Sequence, residues 1–95
     1  MPKGYVILTE SIKDPEGMKA YSRAAGAAMG GVNILAVDTK ATVIEGTWHG
    51  DQTVVLEFES VDAARAWYES EAYQKAAKLR QAAADCNAVI ISGFA

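Results

Sequence analysis

Residues 4–10 read Gly-Tyr-Val-Ile-Leu-Thr-Glu (GYVILTE), and this stretch decides the fold. A β-rich run bounded by glycine and polar residues is typical of a strand. The four residues after the glycine are all apolar, so neither side of the strand is polar. Residues 88–91 (AVII) repeat this pattern near the C-terminus. Because strands that are apolar on both sides are buried on both sides, we predict a sheet that is covered on both faces.

The segment after this strand predicts an amphipathic helix. Residues 14–16 (DPE) place Asp at the N-cap, Pro at the first helical position and Glu in the first turn, which is a strong helix start. Gly30 and Gly31 are expected to end the helix, and Gly26 within it predicts a close approach of the helix to the sheet. The apolar residues that recur at helical spacing are Met18, Tyr21, Ala25, Ala28 and Met29.

The middle of the chain predicts three further strands separated by polar turns. They are residues 32–37, residues 42–48 (TVIEGTW) and residues 52–59 (QTVVLEFE). The last of these alternates most clearly between apolar and polar positions. Gly46 marks a possible bulge in the second.

The C-terminal half predicts two consecutive helices and a final strand. Ser60 is expected to cap the first helix, and Ser70 to cap a second that runs to about residue 84. Residues 86–94 then form the last strand.

This order of elements is a split βαβ pattern, typical of a ferredoxin-like α+β fold with an antiparallel sheet and helices on one face. The length predicts a single domain over residues 1–95. Helices on one face leave the other face uncovered, although strands 4–10 and 88–91, which we place mid-sheet, are apolar on both sides. A second copy stacked sheet on sheet is the simplest cover, so we predict a homodimer through the open sheet face. The alternative is a monomer with an exposed apolar sheet.

Composition restricts the partners. Nine basic and twelve acidic residues give a net charge of −3, with the basic residues scattered, which argues against nucleic acid as a partner. No apolar run approaches the ~20 residues that span a membrane, and we expect neither a membrane partner nor a signal peptide. A single cysteine fits a reducing compartment, so we predict a cytoplasmic protein.

Several stretches resemble the bacterial family known as Domain of Unknown Function 1330. The most distinctive is residues 63–70 (AARAWYES) followed by Tyr73; residues 4–7 (GYVI), 45–48 (EGTW) and 54–58 (VVLEF) also match. The family belongs to the dimeric α+β barrel superfamily, together with small monooxygenases and muconolactone isomerase-like proteins. The resemblance implies that fold and a dimer built by sheet packing, but no established activity. The alanine-rich first helix departs from the family pattern, and this departure is expected to alter the wall of the cavity.

Three residues are candidates for acid–base catalysis in a cleft between sheet and helices. Glu57 lies mid-strand between apolar neighbours, where a carboxylate can move protons; its alternative is an ion pair at the dimer face or a solvated edge position. His49 is the one histidine, and its alternative is an exposed turn. Tyr21 is the third candidate. Glu45 is a possible carboxylate partner of Glu57, which spacing alone cannot establish.

A second group of residues is predicted to line the pocket. Aromatic residues at helical spacing are either core or ligand wall, and an arginine is either a surface residue or a bidentate anchor for a carboxylate ligand. The predicted pocket-lining residues are Tyr5, Trp48, Trp67, Tyr68, Tyr73 and Arg80.

No motif indicates a cofactor, a metal or a phosphate loop, so none is predicted. The first functional hypothesis is cofactor-free chemistry, proton transfer or oxygenation, on a small apolar organic molecule. The second is a dimer that binds a small metabolite without turnover. The third is a structural or interaction role. The first rests largely on analogy with the superfamily.

Overall fold

The structure is a computed structural model that describes residues 2–94. Four strands form one antiparallel sheet in the order β2-β3-β1-β4, which confirms the ferredoxin-like α+β fold. The elements along the chain are β1 (Gly4–Ile12), α1 (Pro15–Gly26), β2 (Asn33–Asp38), β3 (Gln52–Phe58), α2 (Val61–Glu69), α3 (Glu71–Ala83) and β4 (Ala84–Ser92).

Hydroxyl caps begin α2 and α3 as predicted. The Ser60 Oγ accepts a hydrogen bond from the Ala63 amide at 3.0 Å, and the Ser70 Oγ accepts one from the Tyr73 amide at 3.2 Å. Each satisfies a backbone donor that the first helical turn leaves free. The extended backbone of Ser70 separates the two helices.

The first helix begins where predicted, with Asp14 at the N-cap and Pro15 at its first position, but it ends earlier than predicted. Asp14 occupies the N-cap position, but its side chain makes no capping hydrogen bond. The helix ends at Gly26, because the amides of Ala27 and Ala28 bond to carbonyls three residues back and tighten the last turn. A Cβ at Gly26 would meet nothing within 4 Å, so the predicted close approach to the sheet at this residue is wrong.

The predicted strand over residues 42–48 is wrong. Residues 39–51, here called the arm, form no ladder with any strand of the described chain. The reason is that β2 pairs directly with β3, and β3 pairs on its other side with β1. The strand-like residues of the arm therefore lie in the open, and Ile44 is 88% exposed.

Side chains of each strand alternate between the two faces of the sheet. Val6, Leu8 and Leu56 are buried under the helices with Ala64. The alternate positions face away from the helices, and this surface is here called the open face. Its residues are Tyr5, Ile7 and Thr9 of β1, Thr53, Val55 and Glu57 of β3, Asn33, Ala36 and Asp38 of β2, and Asn87, Val89 and Ile91 of β4.

The last strand lies at an edge of the sheet, so its predicted mid-sheet position is wrong; the central strands are β1 and β3. Val89 and Ile91 are about half exposed. The molecule measures 38 × 36 × 16 Å, which corresponds to one layer of helices on one sheet. The arm contacts one end of the open face, through Thr9 and Thr53.

The helices do not cover the sheet evenly. The helix α2 packs over β1, β3 and β4, whereas α1 packs chiefly on α3 through Ala25, Tyr73 and Ala76. A space therefore remains between α1 and the part of the sheet formed by β2, β3 and β1. Within residues 2–94, no helix is both long and apolar enough to cross a membrane.

Gly50 is expected to be essential for the end of β1. Its φ is +88°, and an added Cβ would lie 2.6 Å from the Glu10 carbonyl oxygen. We predict that Gly50→Ala lowers the free energy of unfolding by roughly 2 kcal/mol or more, because it adds left-handed strain to a backbone clash. Urea denaturation measures the change. In the matched control, Gly26→Ala, the free energy of unfolding should stay level or rise by up to about 1 kcal/mol; equal losses in both variants would contradict the prediction.

Candidate active site between α1 and the sheet

A cleft of about 420 Å³ opens between α1 and the sheet. Its lining is largely apolar, and its polar side chains come from β1, β3 and α1. This size and composition are typical of small-molecule sites. The lining residues are Leu8 and Glu10 of β1; Met18, Tyr21, Ser22, Ala25 and Gly26 of α1; Met29 between α1 and β2; Ile34 and Val37 of β2; and Gln52, Val54 and Leu56 of β3.

Glu10 is the ionisable group buried in the wall of this cleft. It follows Val6 and Leu8 on the helix-facing side of β1, and its residue is only 1% exposed. Its Oε1 accepts a hydrogen bond from the Gln52 Nε2 at 2.7 Å. Its Oε2 is buried and has no hydrogen-bond partner within residues 2–94. Burying a carboxylate with an unmatched oxygen is unfavourable, so this atom is an acceptor that lacks a donor among residues 2–94.

The backbone around Glu10 is held by the turn that precedes β3. The Asp51 amide donates to the Glu10 carbonyl at 2.7 Å, and the Asp51 Oδ2 accepts from the Ile12 amide at 2.9 Å. Gly50 permits this close approach. Together with Gln52, the turn fixes both the main chain and the side chain of Glu10.

Tyr21 stands on the helix wall of the cleft. Its hydroxyl is 2.8 Å from the Tyr73 hydroxyl, and either oxygen can be the donor. Burial, and then the hydrogen bond with Tyr73, raise the pKa of Tyr21 well above the usual value of 10.0. The side chain is therefore a neutral phenol at ordinary pH.

Arg80 lies on the buried face of α3, against Tyr21. Its residue is 2% exposed, and its guanidinium carbon is 5.9 Å from the centroid of the Tyr21 ring. Its Nε has no partner within the described chain. The position makes Arg80 a buried cation packed on an aromatic ring, and it does not line the cleft.

The remaining helix aromatics form a cluster behind the cleft. Tyr73 is fully buried, with its ring centroid 4.0 Å from that of Trp67. The Trp67 indole nitrogen donates to the Ala28 carbonyl at 2.8 Å, which ties α2 to the end of α1. These two residues hold the three helices together. Tyr68 lines a separate hollow of about 330 Å³ beside β4.

Glu57 lies on the open face, outside the cleft in which we expected it. Its carboxylate accepts hydrogen bonds from the Tyr5 hydroxyl at 3.1 Å and from the Asn33 Nδ2 at 2.9 Å. The bond to Glu57 raises the pKa of Tyr5. Glu45 lines a hollow beside Thr53, four residues along β3 from Glu57, which is about 13 Å of strand. The structure therefore does not bring Glu45 to Glu57.

His49 and Trp48 attach the arm to the other end of the open face. The His49 Nδ1 is 2.7 Å from the Thr9 Oγ1, and its Nε2 is 3.6 Å from an Asp85 carboxylate oxygen. The Trp48 indole nitrogen donates to the Thr53 Oγ1 at 2.9 Å. Of the three predicted acid–base residues, only Tyr21 lines the cleft.

Glu10 was missed by the sequence reasoning, although a signal for it exists. Residues 6, 8 and 10 share one side of a strand, and the first two are apolar, so parity alone places the carboxylate beside the core. Within residues 2–94, no group of three or more histidine, cysteine, aspartate or glutamate side chains is arranged to hold a metal ion.

The fold is similar to those of several solved structures. A protein of unknown function from Rhodopseudomonas palustris has 20% identity and a TM-score of 0.74, with 99% of this chain and 84% of that chain covered. A dimeric ferredoxin-like protein of unknown function from Thermobifida fusca has 16% identity and a TM-score of 0.65, with coverage of 96% and 91%. SnoaB from Streptomyces nogalater, a cofactor-independent oxygenase, has 10% identity and a TM-score of 0.65, with coverage of 100% and 96%.

At these identities, the likeness shows the fold alone. None of the curated proteins matches the chain in sequence. A family profile does match, and it extends over residues 3–94, nearly end to end. The chain therefore belongs to the family described as Domain of unknown function (DUF1330).

Proposed function

We propose that the cleft binds a small, largely apolar organic molecule and that Glu10 accepts a proton from it without a cofactor. The observation that carries this proposal is the free Oε2 of Glu10, buried in an otherwise mostly apolar wall. A general base needs an acceptor atom within hydrogen-bond reach of the proton it removes. Gln52 occupies Oε1 and leaves Oε2 to serve this role.

Tyr21 is proposed as the donor that stabilises the resulting negative charge. Its raised pKa keeps the phenol protonated, so it donates a hydrogen bond rather than acting as a base. When the Tyr21 hydroxyl donates its hydrogen bond to the ligand, the Tyr73 hydroxyl can donate a hydrogen bond to the Tyr21 oxygen. A carboxylate and a phenol on opposite walls therefore supply both halves of a proton abstraction.

The class of reaction is supported by fold analogy with SnoaB, which is described as a cofactor-independent oxygenase. Proton abstraction is the step that the groups of this cleft can supply directly. An oxygenation with dioxygen as the oxidant would begin with the same step. Binding without turnover is the alternative, and it would use the same cleft.

We further propose that the protein is a homodimer joined through the open face. Val89 and Ile91 are about half exposed there, beside Tyr5, Ile7 and Val55. A contiguous apolar sheet face marks an interaction site, and the relative from Thermobifida fusca is described as dimeric. On this proposal Glu57, on the open face, serves the interface, and His49, in the arm, holds the arm to that face. Neither serves the chemistry.

The pocket-lining roles of Trp67, Tyr73 and Arg80 become supporting ones in this proposal, because these residues hold Tyr21 in place from behind. We also propose a single domain over residues 1–95 in the cytoplasm, on the grounds of its length and its one cysteine.

Glu10→Gln is expected to lose proton transfer, while ligand binding becomes weaker but stays measurable. A thermal-shift screen of small neutral organic molecules supplies the ligand, and exchange of its acidic carbon-bound hydrogen with deuterated solvent, followed by NMR, supplies the rate. The glutamine preserves the bond from Gln52 but is not a base, so the exchange rate should fall by about 10²- to 10⁴-fold.

Glu57→Gln is the matched control, since it makes the same change on the opposite face and should leave the exchange rate unchanged. An unchanged rate in Glu10→Gln would remove Glu10 from the mechanism. Ligands that bind without any protein-dependent exchange would favour the binding alternative.

Tyr21→Phe is expected to reduce the sensitivity of the fold to alkaline pH. Because the folded-state pKa of Tyr21 is raised, its stabilising contribution is complete below about pH 10 and is lost as pH rises beyond that value. Urea denaturation from neutral to alkaline pH should show a shallower loss for the variant. At neutral pH the variant should be less stable by about 1 kcal/mol, because the bond to Tyr73 is removed. If the free energy of unfolding falls equally steeply above pH 10 in the wild-type protein and in Tyr21→Phe, the raised pKa of Tyr21 is contradicted.

Sedimentation equilibrium is expected to give twice the chain mass at micromolar concentration. Ile91→Lys should shift the protein toward monomer, since it places a charge in the proposed interface. Leu79→Lys is the control, because Leu79 is comparably exposed on α3, away from the open face. A monomeric wild-type protein, or equal effects of both variants, would exclude the interface.

A further inference from the structure

The charge of the cleft lining is one-sided. Glu10 is the one carboxylate in the lining, and none of the lining residues is lysine, arginine or histidine. The other polar side chains there are Tyr21, Ser22 and Gln52, which carry no charge at ordinary pH. A ligand entering the cleft therefore meets negative charge without an opposing cation at the wall.

A buried cation, Arg80, lies behind the wall of the cleft. It lies against the ring of Tyr21, and it is not part of the lining. A guanidinium recognises carboxylates and phosphates through direct bidentate hydrogen bonds. Arg80 can stabilise the charge of the wall at a distance, but its donors do not face the ligand, so the expectation that it anchors a carboxylate ligand is not supported.

The buried polar atom of the cleft that lacks a partner is an acceptor. Among the other polar groups, the Nε2 of Gln52 donates one hydrogen to Glu10, the hydroxyl of Tyr21 pairs with that of Tyr73, and the hydroxyl of Ser22 can donate or accept. The Oε2 of Glu10 is buried and unmatched within residues 2–94. A carboxylate oxygen accepts hydrogen bonds, so the unmatched atom of the cleft calls for a donor.

We infer that the ligand is a small apolar molecule that carries an O–H or N–H donor and no negative charge, and that Glu10 excludes carboxylates and phosphates of the same size. An anion would place its oxygens against Oε2 and leave two buried negative charges unpaired. The inference rests on the proposed function, because it assigns the ligand class of the same cleft.

Three probes with one shared aromatic ring test the inference: benzyl alcohol, benzylamine and benzoate. Binding is followed by NMR through the methyl groups of Met18 and Met29, which line the cleft. We expect the alcohol and the protonated amine to bind at least about tenfold more tightly than benzoate. Glu10→Gln should weaken the two donors and strengthen benzoate, because the amide replaces an acceptor by a donor.

Glu57→Gln is again the matched control and should preserve the wild-type order of affinities. Benzoate binding as tightly as the alcohol would overturn the inference while leaving a ligand-binding cleft in place. If the wild-type order of affinities persists in Glu10→Gln, the assignment to Glu10 is overturned. It is also overturned if Glu57→Gln changes that order as much as Glu10→Gln does. Failure of all three probes to shift either methionine would overturn both the inference and the proposed function.

Discussion

The central position of β1 is the constraint on which the rest of the structure depends. This strand pairs with β3 on one side and with β4 on the other, so nearly every residue of it has two neighbours in the sheet. Its side chains therefore alternate between the two faces of the sheet. Val6, Leu8 and Glu10 face the helix layer. Tyr5 and Ile7 face away from the helices, on the open face.

The same alternation separates two functional surfaces by the thickness of one sheet. The cleft on the helix side contains Glu10, and the open face contains Glu57 with its hydrogen bond from Tyr5. A carboxylate bonded by a tyrosine and an asparagine in a partly exposed position is well solvated and well paired. A carboxylate at 1% exposure with an unmatched oxygen is neither. Departures from such packing rules are expected where a protein has a function to perform, and this contrast favours Glu10 over Glu57 as the chemical group.

The turn that joins the arm to β3 connects the two surfaces. His49 bonds to Thr9 on the open face, whereas Gln52 bonds to Glu10 on the helix side. Between them, Gly50 and Asp51 hold the backbone of β1. The geometry of the cleft thus depends on residues that lie on the far side of the sheet, which gives the residues around Gly50 a role in the site without direct contact with a ligand.

The sequence by itself determined the element types, the two serine caps that divide α2 from α3, and the ferredoxin-like order, because these follow from local periodicity and capping. It did not determine that residues 42–48 stay unpaired or that β4 lies at an edge, since a strand pattern does not say which neighbours are already taken. It also pointed to Glu57 rather than Glu10. Glu57 lies between Leu56 and Phe58, whereas Glu10 lies between Thr9 and Ser11. The placement of β1 and β3 under the helices decided which carboxylate is buried in a cleft and which lies on the open face.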